Sequence, residues 1–200
     1  MILMIDIHVR SFTGSSLRPY LHSLAKLRME VLREYPYLEE PNLYREMQYL
    51  RKVATCKESI VVLIFDNTTL VGASLGYPLS VEEDVVLKPF IELHRNTSTY
   101  FFFGDSLLLK NYRSRGIGHH FFDAREAHVQ HNKKYKHICF YTPDYPDNDP
   151  KPKDYIPLLD FWRKRGYIHH PEMKCHLPWK EEGDACPSLK QMSFWIKDLA

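Results

Sequence analysis

The alternation of short apolar runs with amphipathic stretches predicts an α/β domain of the α+β type, a central mixed β-sheet flanked by helices. Three observations carry this expectation. Ile60 to Phe65, Tyr100 to Phe103 and His137 to Tyr141 are apolar-rich runs too short for typical helices. Between them, apolar side chains recur at three- and four-residue intervals opposite charged ones. The 200 residues are 44% hydrophobic and 26% charged, the make-up of an ordinary globular unit. No repeat or low-complexity tract divides the chain, so residues 1–200 are read as a single domain.

Ile2 to Val9 alternates weakly and reads as an opening strand ended by the turn cluster Thr13-Gly14-Ser15-Ser16. Pro19 suits the first turn of a helix in which Leu21, Leu24, Leu27 and Val31 form the apolar side, and Pro36 stops it. Leu43, Met47, Leu50 and Ala54 repeat this spacing in a second helix. Ile60 to Phe65 is a strand buried on both faces, and the turn at Asp66-Asn67-Thr68-Thr69 returns the chain as Leu70 to Leu75. Val81 to His94 reads as a short helix interrupted at Pro89. Tyr100 to Phe103 continues past Gly104-Asp105-Ser106 to Leu109 as a central strand, and Gly116-Ile117-Gly118 opens a helix that buries Phe121, Phe122 and Val129. His137 to Tyr141 is a strand. Thr142 to Asp154, with four prolines, is a long loop or lid. A helix is predicted from Asp154, with Pro157 in its first turn, to Gly166, and strands around Tyr167 to Leu177 and Met192 to Ile196 close the chain.

Several classes of function are disfavoured. With 27 Lys and Arg against 25 Asp and Glu the net charge is +2, too small an excess for a dedicated nucleic-acid binder. The longest apolar runs fall far short of the roughly 20 residues that cross a bilayer. Met1 to Asp6 lacks a basic segment and meets an acid at once, so no secretory or transit signal is expected and the cytosol is the expected compartment. Cys56, Cys139, Cys175 and Cys186 show no paired spacing and are read as free thiols. His169, His170, Cys175, His176 and Cys186 match no zinc module, and no metal site is expected.

The segment from Leu107 to His119 carries the chemistry. A strand feeding a turn with two glycines and then a helix leaves backbone N–H groups unpaired at the helix start, where a phosphate or pyrophosphate is the natural guest. Arg113 and Arg115 add charge to the same mouth. A Walker loop is excluded, since His119-His120 stands where Lys-Ser or Lys-Thr is needed. A dinucleotide fingerprint is excluded because Phe121 replaces its third glycine.

Arg113-Ser114-Arg115-Gly116-Ile117-Gly118 resembles the R/Q-x-x-G-x-G/A pyrophosphate motif of the GNAT superfamily of N-acetyltransferases, preceded by the apolar strand that motif requires. Phe161-Trp162-Arg163-Lys164-Arg165-Gly166-Tyr167 is similar to the family's late helix, and Val31 to Leu38 to a stretch of a little-described bacterial branch. The resemblance runs over nearly the whole chain.

It implies an acyl-CoA N-acyltransferase fold and transfer of an acetyl group from acetyl-coenzyme A to a primary amine of a small molecule or peptide, by direct attack in a ternary complex. From the charge and the short apolar runs, no nucleic-acid or membrane partner is expected, and a homodimer is left open. Leu107, Leu108 and Leu109 would splay from the following strand and offer backbone groups to the pantetheine arm, with a donor near Leu108 or Leu109 facing the thioester carbonyl. The main chain of Arg115, Gly116, Ile117, Gly118 and His119, with Arg113 and Ser114 before it, would hold the pyrophosphate.

Asp105, a carboxylate interrupting an apolar strand, is the expected base for the amine, or else the former of a bulge at Gly104. Trp162 stands where the late helix often offers a tyrosine acid, so Tyr155, Tyr141 and Cys139 are the substitutes, against packing roles for each. Tyr35, Tyr37, Glu39, Glu82 to Asp84 and the 144–154 loop are candidates for the acceptor. The alternative function is a coenzyme A-binding sensor that has lost catalysis.

Overall fold

The computed structural model describes residues 7–144, 151–153 and 155–199. Seven strands form one sheet in the order β1-β2-β3-β4-β5-β7-β6. They are β1 (Ile7–Phe12), β2 (Ile60–Asp66), β3 (Thr69–Pro78), β4 (Tyr100–Leu108), β5 (His137–Pro143), β6 (Ile168–Trp179) and β7 (Ser188–Asp198). The pair β4–β5 is parallel and the other neighbours are antiparallel. This is the mixed sheet the apolar runs predict.

Helices α1 (Leu21–Val31), α2 (Leu43–Thr55) and α3 (Asp84–Glu92) cover one face, and α4 (Ile117–His131) and α5 (Leu159–Lys164) the other. Alternation along the strands sorts side chains between two cores. Phe102, Leu107, Cys139 and Phe194 face α1 to α3, whereas Phe101, Phe103, Ile138, Phe140 and Trp195 face α4 and α5. Ile60 to Phe65 is buried at every position because both faces of the sheet are covered.

Four local readings differ from the sequence expectation. β1 extends to Phe12, the residues 1–6 of the predicted opening strand lying outside those described, and Thr13-Gly14-Ser15-Ser16 opens a 3-10 helix, Gly14–Tyr20, rather than a plain turn. α1 stops at Val31, five residues ahead of Pro36, as the chain turns toward the β6–β7 hairpin. Pro89 lies inside an unbroken α3: its ring is buried beside Val86 and Phe90, and Leu93 N–H still donates to the Pro89 carbonyl at 3.4 Å. α5 begins at Leu159 rather than Asp154, which itself lies outside the described residues. Its end follows the expected form: Gly166 has φ +86°, and Tyr167 N–H donates to the Trp162 carbonyl at 3.1 Å.

Candidate functional site

β4 and β5 pair only at Tyr100–His137, Phe101–Ile138 and Phe102–Cys139. Beyond that point each strand stays bonded to its outer neighbour, β4 to β3 and β5 to β7, while the inner edges part. A wedge opens in the middle of the sheet. Ser106 is exposed there although it belongs to a central strand. Unpaired backbone on a central strand calls for a partner, and an extended ligand supplies one.

Register decides which groups face the wedge. Leu109 N–H donates to the Val71 carbonyl at 3.0 Å, and Leu108, Leu107 and Ser106 stand opposite Gly72, Ala73 and Ser74. Backbone direction alternates along an antiparallel ladder, so Leu107 and Leu109 turn theirs to β3 and Ser106 and Leu108 present theirs to the wedge. This corrects the expectation that Leu107 to Leu109 all have free backbone groups. The Leu109 N–H is spent on Val71, and the Ser106 N–H, to which the sequence reading gave no role, faces the wedge beside Leu108.

At the end of the wedge the chain makes a 3-10 turn, Lys110–Tyr112, and then the glycine loop. Ser114 (φ +59°) and Gly116 (φ +77°) both adopt left-handed backbone, one residue apart, which curls successive amides into a concave cradle for an anion. Among the described residues, the amides from Ser114 to Gly118 carry no intramolecular hydrogen bond, and α4 has no side-chain cap. His119 differs: its amide donates to the Gly116 carbonyl at 3.0 Å, so it lies beyond the cradle, and its ring packs on Phe161 with centroids 5.1 Å apart. A Cβ built on Gly116 or Gly118 meets nothing within 4 Å. Gly118 is helical, so neither packing nor backbone conformation demands a glycine there. At this helix start the dipole favours negative charge.

Arg113 closes part of that mouth. Its Nε donates to the Leu108 carbonyl at 2.9 Å and its Nη1 meets Glu34 Oε2 at 2.6 Å, joining the cradle to the segment after α1. That segment is also tied to the β6–β7 turn. Glu40 N–H donates to the Lys180 carbonyl at 2.8 Å, Glu182 N–H to Leu38 at 2.9 Å and Trp179 Nε1 to Tyr37 at 3.0 Å.

The opposite side of the wedge apex is acidic and tyrosine-rich. Between Ser106 and Phe103 the ladder shifts so that Gly104 and Asp105 together oppose Leu75, a β-bulge. Both residues then look toward α1 and α2. A Cβ on Gly104 would come within 3.1 Å of the Tyr49 hydroxyl, and Asp105 Oδ2 is ion-paired with Arg28 Nη1. Arg28 also binds Glu46 and lies over the Tyr49 ring at 4.4 Å. Asp105 therefore forms the bulge and engages a buried guanidinium instead of standing alone among apolar side chains.

A second carboxylate, Glu82, ends a hydrogen-bonded chain of tyrosines. The Tyr49 and Tyr77 hydroxyls are 3.0 Å apart, and Tyr77 donates to Glu82 Oε1 at 2.6 Å. Burial raises the Glu82 carboxyl above its ordinary range against the opposing pull of the Tyr77 bond and Lys52. Tyr141, on β5 just past the last β4 pair, packs at an angle to Phe102 (5.2 Å) and edge-on to Phe194 (5.9 Å). Burial first, then Glu82, raises its phenol well above the usual value, so it stays protonated. Its hydroxyl has no hydrogen-bond partner among the described residues. Tyr155 packs edge-on to Tyr35 at 4.7 Å, across the mouth between the 155 segment and the end of α1, with a phenol raised by burial. Cys139 is fully buried within the paired part of β5, and its thiol is raised by burial.

The architecture can be compared with solved structures. A ribosomal-protein-alanine N-acetyltransferase of Brucella melitensis superposes with a TM-score of 0.62 at 12% identity, over 96% of this chain and 99% of that one. A GNAT-family acetyltransferase of Streptococcus pneumoniae gives 0.60 at 12%, over 97% and 100%. Arabidopsis thaliana NAA60, solved with a bisubstrate analogue, gives 0.60 at 11%, over 96% and 98%. This chain has the GNAT fold. No protein-family model and no curated protein matches its sequence. Within the GNAT fold, Trp162 fills an aromatic core position, with centroids 5.1 Å from Phe140 and 5.2 Å from Trp195. The late helix is fastened to α4 through Arg165, which binds Asp123 at 2.6 Å and Glu126 at 3.1 Å. Among the described residues no helix is long and apolar enough to cross a membrane.

Proposed function

We propose that this chain is an N-acetyltransferase that moves an acetyl group from acetyl-coenzyme A to a primary amine by direct attack within a ternary complex. The observation that carries this is the continuity of backbone donors turned away from the β3 ladder, from the Ser106 and Leu108 N–H groups on β4 into the free amides of Ser114 to Gly118. Those amides, with Arg115 and a released Arg113, suit the diphosphate. The exposed edge of β4 suits the amide groups of the pantetheine arm, and the Ser106 N–H is the donor assigned to the thioester carbonyl as negative charge builds there.

An alkyl ammonium, with an ordinary pKa near ~10.4, must lose a proton before it can attack. Glu82 is assigned that proton, directly or through Tyr77 and Tyr49. A raised carboxyl is a stronger base than a free one, and Asp105 is already committed to Arg28. The new N–C bond forms as the C–S bond breaks; Tyr141 is assigned to give its proton to the departing thiolate, and the second proton shed by the nitrogen as it becomes an amide restores the phenol. Tyr155 is assigned to the acceptor entrance with Tyr35.

The replacement of the late-helix tyrosine by Trp162 favours the rival sensor reading, so both are tested together. The protein is incubated with acetyl-coenzyme A and a broad pool of small and peptide amines while free thiol is followed. Amine-dependent thiol release supports the transferase. Tight coenzyme A binding without turnover on any amine supports the sensor, and absence of binding removes both.

A further inference from the structure

The buried Arg125 has no role in the mechanism above, yet it touches the part of β4 on which that mechanism turns. It lies on α4, two turns beyond the glycine loop, with 0% exposure. Its Nη1 donates to the Leu75 carbonyl at 2.9 Å and reaches the Gly104 carbonyl at 3.5 Å. Its Nη2 donates to Ser106 Oγ at 2.8 Å, and its Nε to the Phe121 carbonyl at 3.2 Å. The Phe103 and Phe122 rings lie 4.2 and 4.9 Å from the guanidinium carbon. No carboxylate among the described residues pairs with it.

A cation buried without a counter-charge is costly, and a leucine or methionine fits an apolar helix face at no such cost. What the guanidinium provides is a set of donors for oxygens at the place where the β3–β4 ladder is interrupted. Leu75 stands opposite two residues, Gly104 and Asp105, and its carbonyl, at the centre of the bulge, accepts from Arg125. The Gly104 carbonyl shares the same donor. The planar fork of arginine spans both carbonyls and the Ser106 hydroxyl at once, which a lysine ammonium does only in part.

We propose that Arg125 is a positioning residue for acyl transfer: it pins the β4 bulge from behind, so that the Ser106 N–H faces the wedge while Asp105 faces Arg28. This rests on the acyltransfer reading for its kinetic consequence, and on the bulge alone for its structural one. Because the same helix presents the phosphate cradle at its start, α4 sets the spacing between the diphosphate and the oxyanion donor. Losing the pin leaves the cradle intact and misplaces the donor.

The test uses the full chain with Arg125→Met and Arg125→Lys. For Arg125→Met the expected result is a fall in kcat of about a hundredfold, the scale of a misplacement near 1 Å. Affinity for coenzyme A should stay within about twofold by calorimetry, thermal unfolding should remain cooperative, and the amides of Gly104 and Asp105 should exchange hydrogen faster. Arg125→Lys is expected to recover about tenfold of the lost rate. Retention of kcat in Arg125→Met, or unchanged exchange at Gly104 and Asp105, overturns the proposal. Equal loss of kcat and coenzyme A affinity also overturns it, since that is general damage. If Arg125→Met does not fold, Ser106→Ala removes one arm of the pin, and an unaltered kcat there counts against it. If the wild-type chain turns over no amine, the transferase reading falls, whereas the exchange measurement still decides whether Arg125 holds the bulge.

Discussion

Replacing Gly118 with leucine should make the protein more stable and unable to bind coenzyme A. Gly118 is the second residue of α4, has ordinary helical backbone, and a Cβ there meets no atom within 4 Å. Leucine is a better helix former than glycine by about 0.5–1 kcal/mol. For a chain of this size that corresponds to a rise of about 1–4 °C in Tm. On the proposed reading, the same Cβ and its branches intrude on the space that the diphosphate takes. Wild-type protein at a coenzyme A concentration of about a hundred times Kd should gain about 2.7 kcal/mol, or roughly 5–10 °C. The variant should gain nothing. Thermal melts with and without coenzyme A, followed by calorimetry, read both effects on one sample. A variant that keeps the ligand-dependent shift refutes the cradle. One that loses more than about 1 kcal/mol without ligand refutes the argument that the fold has no use for a glycine at this position.

Glu82→Gln should slow turnover far more than Asp105→Asn and remove the acidic limb of the rate–pH profile; the reverse ranking by steady-state kinetics would return the base role to Asp105. Because burial raises the folded-state Glu82 carboxyl, its contribution to stability is complete below the ordinary carboxylate range and is lost as pH rises through the raised value. Glu82→Gln should therefore be more stable than wild type at neutral pH, with the gap closing in acid, as denaturant titrations at several pH values would show. Tyr141→Phe should leave Tm within about 1 °C, since the hydroxyl has no partner among the described residues, while lowering kcat by about tenfold or more if it protonates the thiolate. Glu34→Gln releases Arg113 from a pair whose members are 38% and 36% exposed. A surface pair of about 0.2–1 kcal/mol predicts coenzyme A affinity tighter by about 1.5- to 5-fold in calorimetry.

The elements governed by local rules were legible in the sequence. Ile60 to Phe65 announces a two-sided strand because six consecutive apolar residues leave no polar face. Gly166 marks the end of α5 because left-handed backbone at that place favours glycine. The glycine loop was legible for the same reason. Groups set by register or by distant contact were not. Whether Leu107 or Ser106 turns its N–H toward the wedge depends on the β3–β4 ladder, and one bulge residue changes the phase. Glu82 looks like an ordinary acid at a helix start until Tyr77, five residues earlier on β3, is seen bonding to it. Arg125 reads as one more charge on an amphipathic helix, and only the bulge behind it explains its burial.

The connection between α1 and α2 is anchored at both ends of its course, to Arg113 through Glu34 and to the β6–β7 turn through Leu38 and Glu40. A graft intended to retarget this scaffold to a new amine must therefore carry that connection and the 179–182 turn as one cassette. Exchanging either half by itself strands main-chain groups that the other half was folded to meet.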